Sequence, residues 1–289
     1  MKLLKGLDEI IDNYQYFILD VWGVIHDGSS LYPDVLNTLK FLRNKNKQIC
    51  FLSNAPRRAK VVEKVLNNFG ITPNFYDFIL SSGESSFIEL YNNQNQNYQI
   101  FGKKYFYIGP DKDLNLLDGL AYERVDSISK ANFIINTGFD NENSTIDEKL
   151  AIAIEGINYK IPMLCINPDL IVVRQNGQQM ICAGALAIEY EKLGGHVYYF
   201  GKPFDIVYNL VLEKFSNTDK SKYIAIGDGI ETDIKGANDF GIDNVLVSGG
   251  ILAKELNIQY WQEPDELKLN KIFNKYNIFP NFVISTFKI

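Results

Sequence analysis

Residues 16–28 have the sequence YFILDVWGVIHDG, in which four apolar residues run directly into the carboxylate of Asp20. A short apolar run that is followed by a turn signal, here Gly23, is typical of a buried strand in a parallel sheet. We therefore expect Asp20 at the carboxyl end of this strand, where open α/β sheets bind their ligands. Because an isolated aspartate after a strand also serves to cap a loop or a helix, the assignment depends on the other strands.

Three further apolar runs end in polar residues. Residues 49–54 (ICFLSN) end in a hydroxyl and an amide, residues 197–203 (VYYFGKP) lead to a lysine, and residues 223–233 (YIAIGDGIETD) lead to two carboxylates. If the four strands lie side by side and parallel, their ends meet at one site. Oxygen ligands of this kind suit Mg²⁺, and an aspartate beside a cation can attack a phosphoryl group.

This ordered set of motifs resembles the haloacid dehalogenase-like superfamily in its class II-A subgroup. Phosphatases of N-acetylglucosamine phosphate, 4-nitrophenyl phosphate, phosphoglycolate, pyridoxal phosphate and nucleotide sugars belong to that subgroup. The resemblance extends from residue 10 to residue 255, and the positions that carry it are Asp20, Ser53, Gly201-Lys202-Pro203, Asn167-Pro168-Asp169 and Gly227-Asp228 with Asp233. Each motif alone is weak, whereas the order of the whole set is specific.

The resemblance implies a role for each matched residue in a Mg²⁺-dependent phosphatase. Asp20 is the nucleophile that forms an aspartyl-phosphate. The phosphate is bound by the Ser53 hydroxyl, the backbone amide of Asn54 and Lys202. The metal is bound by Asp20, the backbone carbonyl of Trp22, Asp228 and Asp233, with Asp233 alternatively orienting Lys202. The competing interpretation is structural, because Ser53, Asp228 and Asp233 are also common helix-capping and turn residues.

Trp22 departs from the pattern of the family. Most phosphatases of the superfamily have a second aspartate at this position, which protonates the leaving oxygen and then activates water. An indole N–H is a donor only and does not titrate. Three interpretations stay open: His26 or Asp27 replaces the missing acid–base group, the enzyme acts on esters with good leaving groups, or the protein binds a phosphorylated ligand without turnover.

The spacing of the motifs predicts two domains. The core pattern pauses near residues 81–84, and the Lys202 motif comes only after about 115 further residues. A structureless loop of that length is not expected in a compact protein. We therefore predict a doubly wound, Rossmann-like parallel-sheet core over residues 1–82 and 198–289, with an α/β cap domain inserted over residues 83–197. Predicted cap strands are 105–108, 133–136 and 163–166, and predicted cap helices are 146–157 and 183–193.

Several polar residues are candidates for contacts with the rest of the substrate. Arg57 and Arg58 follow the Ser53 strand and are candidates for a second anionic group, although surface solvation explains them equally well. In the inserted domain, Asn167, Asp169 and Arg174 are candidates for the leaving group, and Asn-Pro-Asp is also a common turn sequence. We expect a small phosphorylated metabolite, such as a sugar phosphate, as the substrate.

The two ends of the chain lie outside the clearest motifs. Residues 1–15 have leucines and isoleucines at helical spacing and predict a short amphipathic helix. Residues 266–275 also predict a helix, and residues 282–284 predict an added edge strand. The functional role of residues 255–289 is not given by the sequence.

Composition excludes some classes of partner. The chain has 289 residues and a formal net charge of −6, which gives no electrostatic case for nucleic acid or an anionic membrane. No run of 18 apolar residues and no signal-peptide pattern is present. Three cysteines without metal spacing indicate reduced, buried thiols, so we expect a cytoplasmic protein. A homodimer formed through the cap is a further expectation from the resemblance.

Two other classes of domain share part of the pattern. A two-component receiver domain also combines Asp, Ser or Thr and Lys at strand ends, but it does so within one short contiguous domain. A dinucleotide-binding domain requires a third glycine, which the GDGIET sequence at 227–232 lacks. Both alternatives therefore fit less well than the phosphatase.

Overall fold

The computed structural model describes residues 1–95, 101–141, 143–173 and 179–289. Its strands are β1 (Lys2–Leu4), β2 (Tyr16–Leu19), β3 (Gln48–Ser53), β4 (Phe78–Ser81), β5 (Lys104–Ile108), β6 (Glu123–Arg124), β7 (Phe133–Asn136), β8 (Met163–Cys165), β9 (Ile171–Val173), β10 (Gln179–Ile181), β11 (Val197–Tyr199), β12 (Tyr223–Gly227), β13 (Asp243–Val247) and β14 (Phe282–Ile284). Its α-helices are α1 (Val35–Asn44), α2 (Ala59–Asn68), α3 (Ser82–Asn95), α4 (Ile146–Asn158), α5 (Ala183–Lys192), α6 (Asp205–Phe215), α7 (Lys235–Phe240), α8 (Ala253–Leu256) and α9 (Glu266–Tyr276).

The chain forms two compact units. The first comprises Met1–Ser53, Glu63–Leu80 and Tyr208–Ile289, and the second comprises Asn54–Val62 and Ser81–Val207. The predicted insert, residues 83–197, falls in the second unit, which additionally takes in residues 54–62, 81–82 and 198–207. Its role as a cap stays a prediction. Within the described ranges, no helix combines the length and the apolar character that a membrane crossing requires.

The first unit is built on a seven-stranded sheet of order β1-β14-β13-β12-β2-β3-β4. Every pair from β1 to β3 along this order is parallel. The first residue of β2, Tyr16, is opposite both Tyr223 of β12 and Gln48 of β3, so the three strands run in register and their carboxyl ends share one edge. This confirms the predicted doubly wound α/β core.

The second unit has its own sheet and its own core. Five parallel strands have the order β11-β8-β7-β5-β6, and β9 pairs with β10 in an antiparallel hairpin. Apolar side chains pack in two buried clusters, one of which includes Met163, Leu186 and Tyr190 and the other Leu90 and Phe133. The predicted strands and helices of residues 105–193 are present to within one or two residues at their ends.

The strand before Lys202 belongs to the other sheet, and the prediction that it lies beside the Asp20 strand is wrong. β11 pairs with β8, with Val197 opposite Met163 and Tyr199 opposite Cys165. Val197 and Phe200 are buried within the two clusters of the second unit. A short apolar run indicates a buried strand but not which sheet it joins, because burial in either sheet requires the same residues.

The two predictions for the chain ends need correction. Residues 1–15 form β1 and two 3₁₀ turns rather than a helix, because Lys2–Leu4 finds a parallel partner in Phe282–Ile284. A short isolated helix is marginal in water, so this pairing prevails. β14 is not an edge strand, because it lies between β1 and β13. Together with Leu269, Ile272 and Phe273 of α9 it builds part of the buried core.

Candidate active site

Asp20 lies directly after β2, at the carboxyl edge of the seven-stranded sheet. Its backbone N–H donates to the carbonyl oxygen of Ile226 on β12 at 2.8 Å, which continues the parallel ladder by one residue. Asp20 is only 7% exposed. The fold therefore fixes the backbone of Asp20 and buries its carboxylate at the edge where parallel sheets place their ligands.

Two more carboxylates approach Asp20. Asp228 follows β12, and Asp233 lies on a single π-helical turn, Ile230–Ile234, that leads into α7. One carboxylate oxygen from each of the three aspartates lies within 4.8 Å of the others, and all three residues are buried. Turns of this π type occur frequently at functional sites.

Glycines allow this close packing of carboxylates. A Cβ at Gly23 would lie 2.0 Å from Asp228 Oδ2, and the φ of +91° at Gly23 also favours glycine. A Cβ at Gly250 would lie 2.2 Å from the same oxygen, which accepts the Ile251 N–H at 2.7 Å. Asp228 is thus held between two backbone segments, Gly23 and Gly250-Ile251.

The three carboxylates fit a divalent cation of the hard, oxygen-binding class. Two unit charges separated by 4.8 Å repel each other by about 3 kcal/mol at an effective dielectric constant of 20, and three such pairs occur here. A cation removes this repulsion, and a set of carboxylate oxygens without nitrogen or sulfur ligands favours Mg²⁺. Asp20, Asp228 and Asp233 are therefore the candidate metal ligands, with the carbonyl of Trp22 as a further proposed ligand.

Ser53 is the last residue of β3, which pairs with β2 on the side away from β12. It is 7% exposed and lies at the same carboxyl edge as Asp20. The first unit therefore brings the edge positions of Asp20, Ser53, Asp228 and Asp233 together.

In the second unit, the Asn54 side chain holds the backbone of Lys202. Asn54 Oδ1 accepts the Lys202 N–H at 2.8 Å, and Asn54 Nδ2 donates to the Lys202 carbonyl at 3.0 Å and to Asp169 Oδ1 at 2.8 Å. Ser82 Oγ also donates to Asn54 Oδ1 at 3.3 Å. Lys202 is only 3% exposed. The Asn54 side chain therefore fixes the backbone of Lys202. The sequence had predicted a role for the Asn54 backbone amide only.

The Asn-Pro-Asp sequence forms a turn that supports this amide. Asn167 Oδ1 accepts the Asp169 N–H at 3.2 Å, and the Asn167 carbonyl accepts the N–H of Gly184 on α5 at 2.8 Å. These contacts account for Asn167 structurally, while Asp169 reaches Asn54. Arg174, the third candidate for the leaving group, lies outside the described residues. Contact between these residues and a substrate stays a prediction.

Both arginines after Ser53 are engaged in ion pairs within the second unit. Arg57 Nε donates to Asp113 Oδ1 at 2.8 Å, and Asp113 is almost fully buried. Arg58 makes a two-point contact with Glu84 at 2.8 and 3.2 Å and lies over the Phe87 ring, 3.3 Å from its centroid. Arg58 is thus held by Glu84 at its N–H edge and by the Phe87 ring on one face, and the printed contacts use fewer of the donors of Arg57 than of Arg58.

Comparison with known proteins identifies the family. A family model described as haloacid dehalogenase-like hydrolase matches residues 17–123, and a second, described as HAD-hydrolase-like, matches residues 199–271. A solved haloacid dehalogenase-like hydrolase from Brucella suis 1330 superimposes with a TM-score of 0.82 and 29% identity, covering 98% of this chain and 99% of that chain. The chain belongs to the haloacid dehalogenase-like (HAD-like) hydrolase family.

Two curated relatives of this HAD-like hydrolase extend the comparison. Phosphoglycolate phosphatase 1A, chloroplastic, from Arabidopsis thaliana is 26% identical over 86% of this chain and 72% of the relative. An acid sugar phosphatase from Staphylococcus saprophyticus is 23% identical over 84% of this chain and 90% of the relative. The family predicted from the motif order is thereby confirmed.

The candidate replacements for an acid–base group are both occupied by local contacts in this HAD-like hydrolase. His26 packs edge-on against Trp22 and lies 5.0 Å from the Phe69 ring, and its Nδ1 accepts the Gly28 N–H at 2.9 Å. Asp27 Oδ1 accepts the N–H groups of Ser29 and Ser30, each at 2.8 Å. Both side chains therefore stabilise the loop after Asp20, and an acid–base role for either stays a prediction.

Burial of His26 predicts a pH dependence of stability. Burial lowers the pKa of His26 to about 4 from an ordinary 6.5, and the nearby Asp27 charge offsets only part of this. As the pH falls below about 6.5, His26 binds a proton in the unfolded chain but stays neutral in the folded chain. The free energy of unfolding therefore falls. The loss ends near pH 4, where folded His26 is also protonated, and it amounts to about 3 kcal/mol.

Urea unfolding between pH 7 and pH 4 measures this effect. The His26→Leu variant is expected to lose the His26 part of the slope, whereas replacing the exposed His196 by leucine keeps it. Equal slopes in the wild type and in His26→Leu would contradict the assignment.

The structure adds functional residues that the sequence analysis missed. The Asn54 side chain, Ser82, Gly250 and the Ile251 N–H all contact a candidate catalytic residue or its immediate support. The Gly249-Gly250 pair, which follows β13 after Ser248, was the one sequence signal available for the Asp228 contact, since adjacent glycines often mark a close backbone approach.

Proposed function

We propose that this HAD-like hydrolase is a Mg²⁺-dependent phosphatase that acts on a small phosphorylated metabolite through an aspartyl-phosphate on Asp20. The observation that carries the proposal is the buried cluster of Asp20, Asp228 and Asp233 at the carboxyl edge of the sheet. The relatives named as phosphoglycolate phosphatase and acid sugar phosphatase support the same class of reaction.

In the proposed reaction, a carboxylate oxygen of Asp20 attacks the phosphorus atom. The bond from phosphorus to the leaving oxygen breaks, and the leaving group departs with the electron pair. Water then attacks the phosphorus of the aspartyl-phosphate, and the bond from phosphorus to the Asp20 oxygen breaks, which releases inorganic phosphate and restores the Asp20 carboxylate. The attacking water gives up one proton to the solvent, and the departed oxygen takes one proton up, so the two steps together consume one water. A bound Mg²⁺ supplies charge neutralisation for the phosphoryl oxygens.

Each remaining residue has one task in this scheme. Asp228, Asp233 and the Trp22 carbonyl hold the cation together with Asp20. The Ser53 hydroxyl and the Asn54 backbone amide donate to phosphoryl oxygens, and the Lys202 ammonium neutralises their charge. The Asn54 side chain keeps Lys202 in place through its hydrogen bonds to both backbone polar groups of that residue.

The substrate is proposed to be a phosphomonoester of a sugar or of a small hydroxy acid. Arg57, which keeps donors beyond its contact with Asp113, suits a second anionic group. Asp169 and Asn167 suit the hydroxyl groups of a leaving group. A metabolite panel with Mg²⁺ tests the proposal by phosphate release, run on the wild type beside Asp20→Asn and with a chelator. No Asp20-dependent release from any ester would refute it.

A second candidate function is a phosphate- or sugar-phosphate-binding regulatory protein without turnover. Trp22 favours it, because an indole cannot transfer the proton that a leaving alkoxide needs. His26 and Asp27 are held in local contacts as described above, and loss of a general acid–base group costs about 10²–10⁴-fold in rate. This candidate predicts binding of a phosphorylated ligand with Mg²⁺ and no release of phosphate.

Replacing Trp22 distinguishes the two candidates. Trp22→Asp is expected to raise kcat for alkyl phosphates by about 10²-fold, because it introduces a carboxyl group able to transfer the proton. Trp22→Asn is the matched control, because asparagine has nearly the same shape as aspartate but does not titrate. It is expected to give no gain in kcat. If the wild type already releases phosphate and Trp22→Asp leaves its kcat unchanged or lowers it, a group such as His26 or Asp27 already serves as the acid–base, and the expectation is wrong.

A further inference from the structure

The turn after β13 supports Asp228 directly. Ile251 donates its N–H to Asp228 Oδ2 at 2.7 Å, and Gly250 lies against the same carboxylate oxygen. The turn is also bound to the end of β14. The N–H groups of Ser248 and Gly249 donate to the carbonyls of Ile284 and Ser285, each at 2.9 Å. Any shift of this turn therefore moves a hydrogen-bond donor of a candidate metal ligand.

Tyr260 packs against the same turn. A Cβ at Gly249 would lie 2.4 Å from the Tyr260 carbonyl oxygen, so the backbone of Tyr260 is in close contact with the turn. The Tyr260 ring stacks on Tyr32, with centroids 4.0 Å apart and an interplanar angle of 6°. Its hydroxyl donates to the Val24 carbonyl at 3.5 Å. Tyr260 thus connects the turn after β13 to the loop that follows Asp20.

Tyr32 is anchored on that loop and close to the carboxylates. Its N–H donates to the Ile25 carbonyl at 3.0 Å. Burial raises the pKa of the Tyr32 phenol well above its ordinary value, and the charges of Asp228, Asp27 and Asp20 add to the shift. The phenol is therefore within electrostatic reach of two of the three candidate metal ligands, and it stays neutral at physiological pH.

We propose that Tyr260, stacked on Tyr32, is a positioning residue. It holds the loop that follows Asp20 and the turn after β13, which contacts Asp228, at the spacing that metal binding requires. This inference rests on the proposed function, since it takes the aspartate cluster as a metal site. It also gives a role to Tyr260, which lies in residues 255–289, the part of the chain whose function the sequence does not give. Tyr260 acts through Gly249, Gly250 and Ile251 and not by touching the metal or the substrate.

The test is Mn²⁺ affinity in the absence of substrate, measured by electron paramagnetic resonance on the full-length protein. Tyr260→Ala removes the stack and is expected to weaken Mn²⁺ binding by about three- to tenfold. Tyr260→Phe keeps the ring and is expected to stay within about twofold of the wild type. If the alanine variant does not fold, Tyr260→Leu keeps apolar bulk without a ring and gives the same readout.

The control is a second tyrosine pair with stacked rings, which lies at the amino edge of the seven-stranded sheet, opposite to the candidate metal ligands. Tyr16 and Tyr223 open β2 and β12, and their rings stack with centroids 4.5 Å apart. Tyr16→Ala is expected to lower Tm without changing Mn²⁺ affinity. Unchanged affinity in Tyr260→Ala, or an equal loss in Tyr16→Ala, would overturn the inference. Failure of the wild type to bind Mn²⁺ would instead overturn the proposed metal site, and the inference with it.

Discussion

Replacing Asp20 with asparagine is expected to reduce phosphate release by about 10⁴-fold or more, because the substitution removes the proposed nucleophile. An amide of the same shape does not displace the leaving group, and it contributes a weaker metal ligand than a carboxylate. The Asp20 backbone is fixed by the Ile226 carbonyl, so the variant is expected to fold normally. The measurement is kcat on a substrate that the metabolite panel has identified, at saturating Mg²⁺.

Asp243→Asn is the matched control for this variant. Asp243 is the first residue of β13, and its Oδ2 accepts the hydroxyl of Tyr14 at 2.6 Å. It therefore lies at the amino edge of the same sheet, opposite to the site. Turnover of Asp243→Asn is expected to equal that of the wild type, with some loss of stability. Equal kcat in Asp20→Asn and the wild type would exclude the aspartyl-phosphate mechanism.

Replacing Lys202 with methionine is expected to lower kcat/KM by about 10²–10³-fold, the cost of losing one strong stabilising contact to a transition-state oxygen. Methionine keeps the approximate length and the apolar stem of the side chain, and it removes the ammonium group with its charge and its hydrogen-bond donors. The Asn54→Ala variant keeps the lysine but loses the amide that binds the Lys202 backbone on both sides, and it is expected to fall between the wild type and Lys202→Met.

Lys47→Met controls for the loss of a buried lysine. Lys47 precedes β3, is 8% exposed, and donates its Nζ to the Tyr14 carbonyl at 2.7 Å. It lies at the amino edge of the first sheet, so its loss is expected to lower Tm and leave kcat/KM unchanged. A value for Lys202→Met within about threefold of the wild type would remove Lys202 from the proposed mechanism.

Local patterns predicted the elements that carry the carboxylates. The run before Asp20 and the run before Asp228 are short, apolar and followed by turn residues, and both form strands of the expected length. Asp233 comes five residues after Asp228, and one helical turn returns it to the same edge. These positions were predictable because each depends on a strand end and a turn that the neighbouring residues determine.

Predictions that depended on a distant partner were less successful. β11 has the same apolar character as β2 and β12, yet it pairs with β8 in the other sheet. The first residues have helical spacing, yet they form β1 because β14 supplies a parallel partner from the other end of the chain. A window of sequence contains no information about a partner that lies hundreds of residues away, so the period alone gave the wrong element.

The amino-acid sequence by itself determined the family, the α/β class, the strand ends and the identity of the candidate carboxylates, because these follow from residue type and local order. Tertiary structure decided which sheet each strand joins, that Asn54 holds the backbone of Lys202, and that the turn after β13 with Tyr260 supports Asp228. The physical reason is that these contacts join residues far apart in the chain, and their free energy depends on geometry that forms only when the whole core packs.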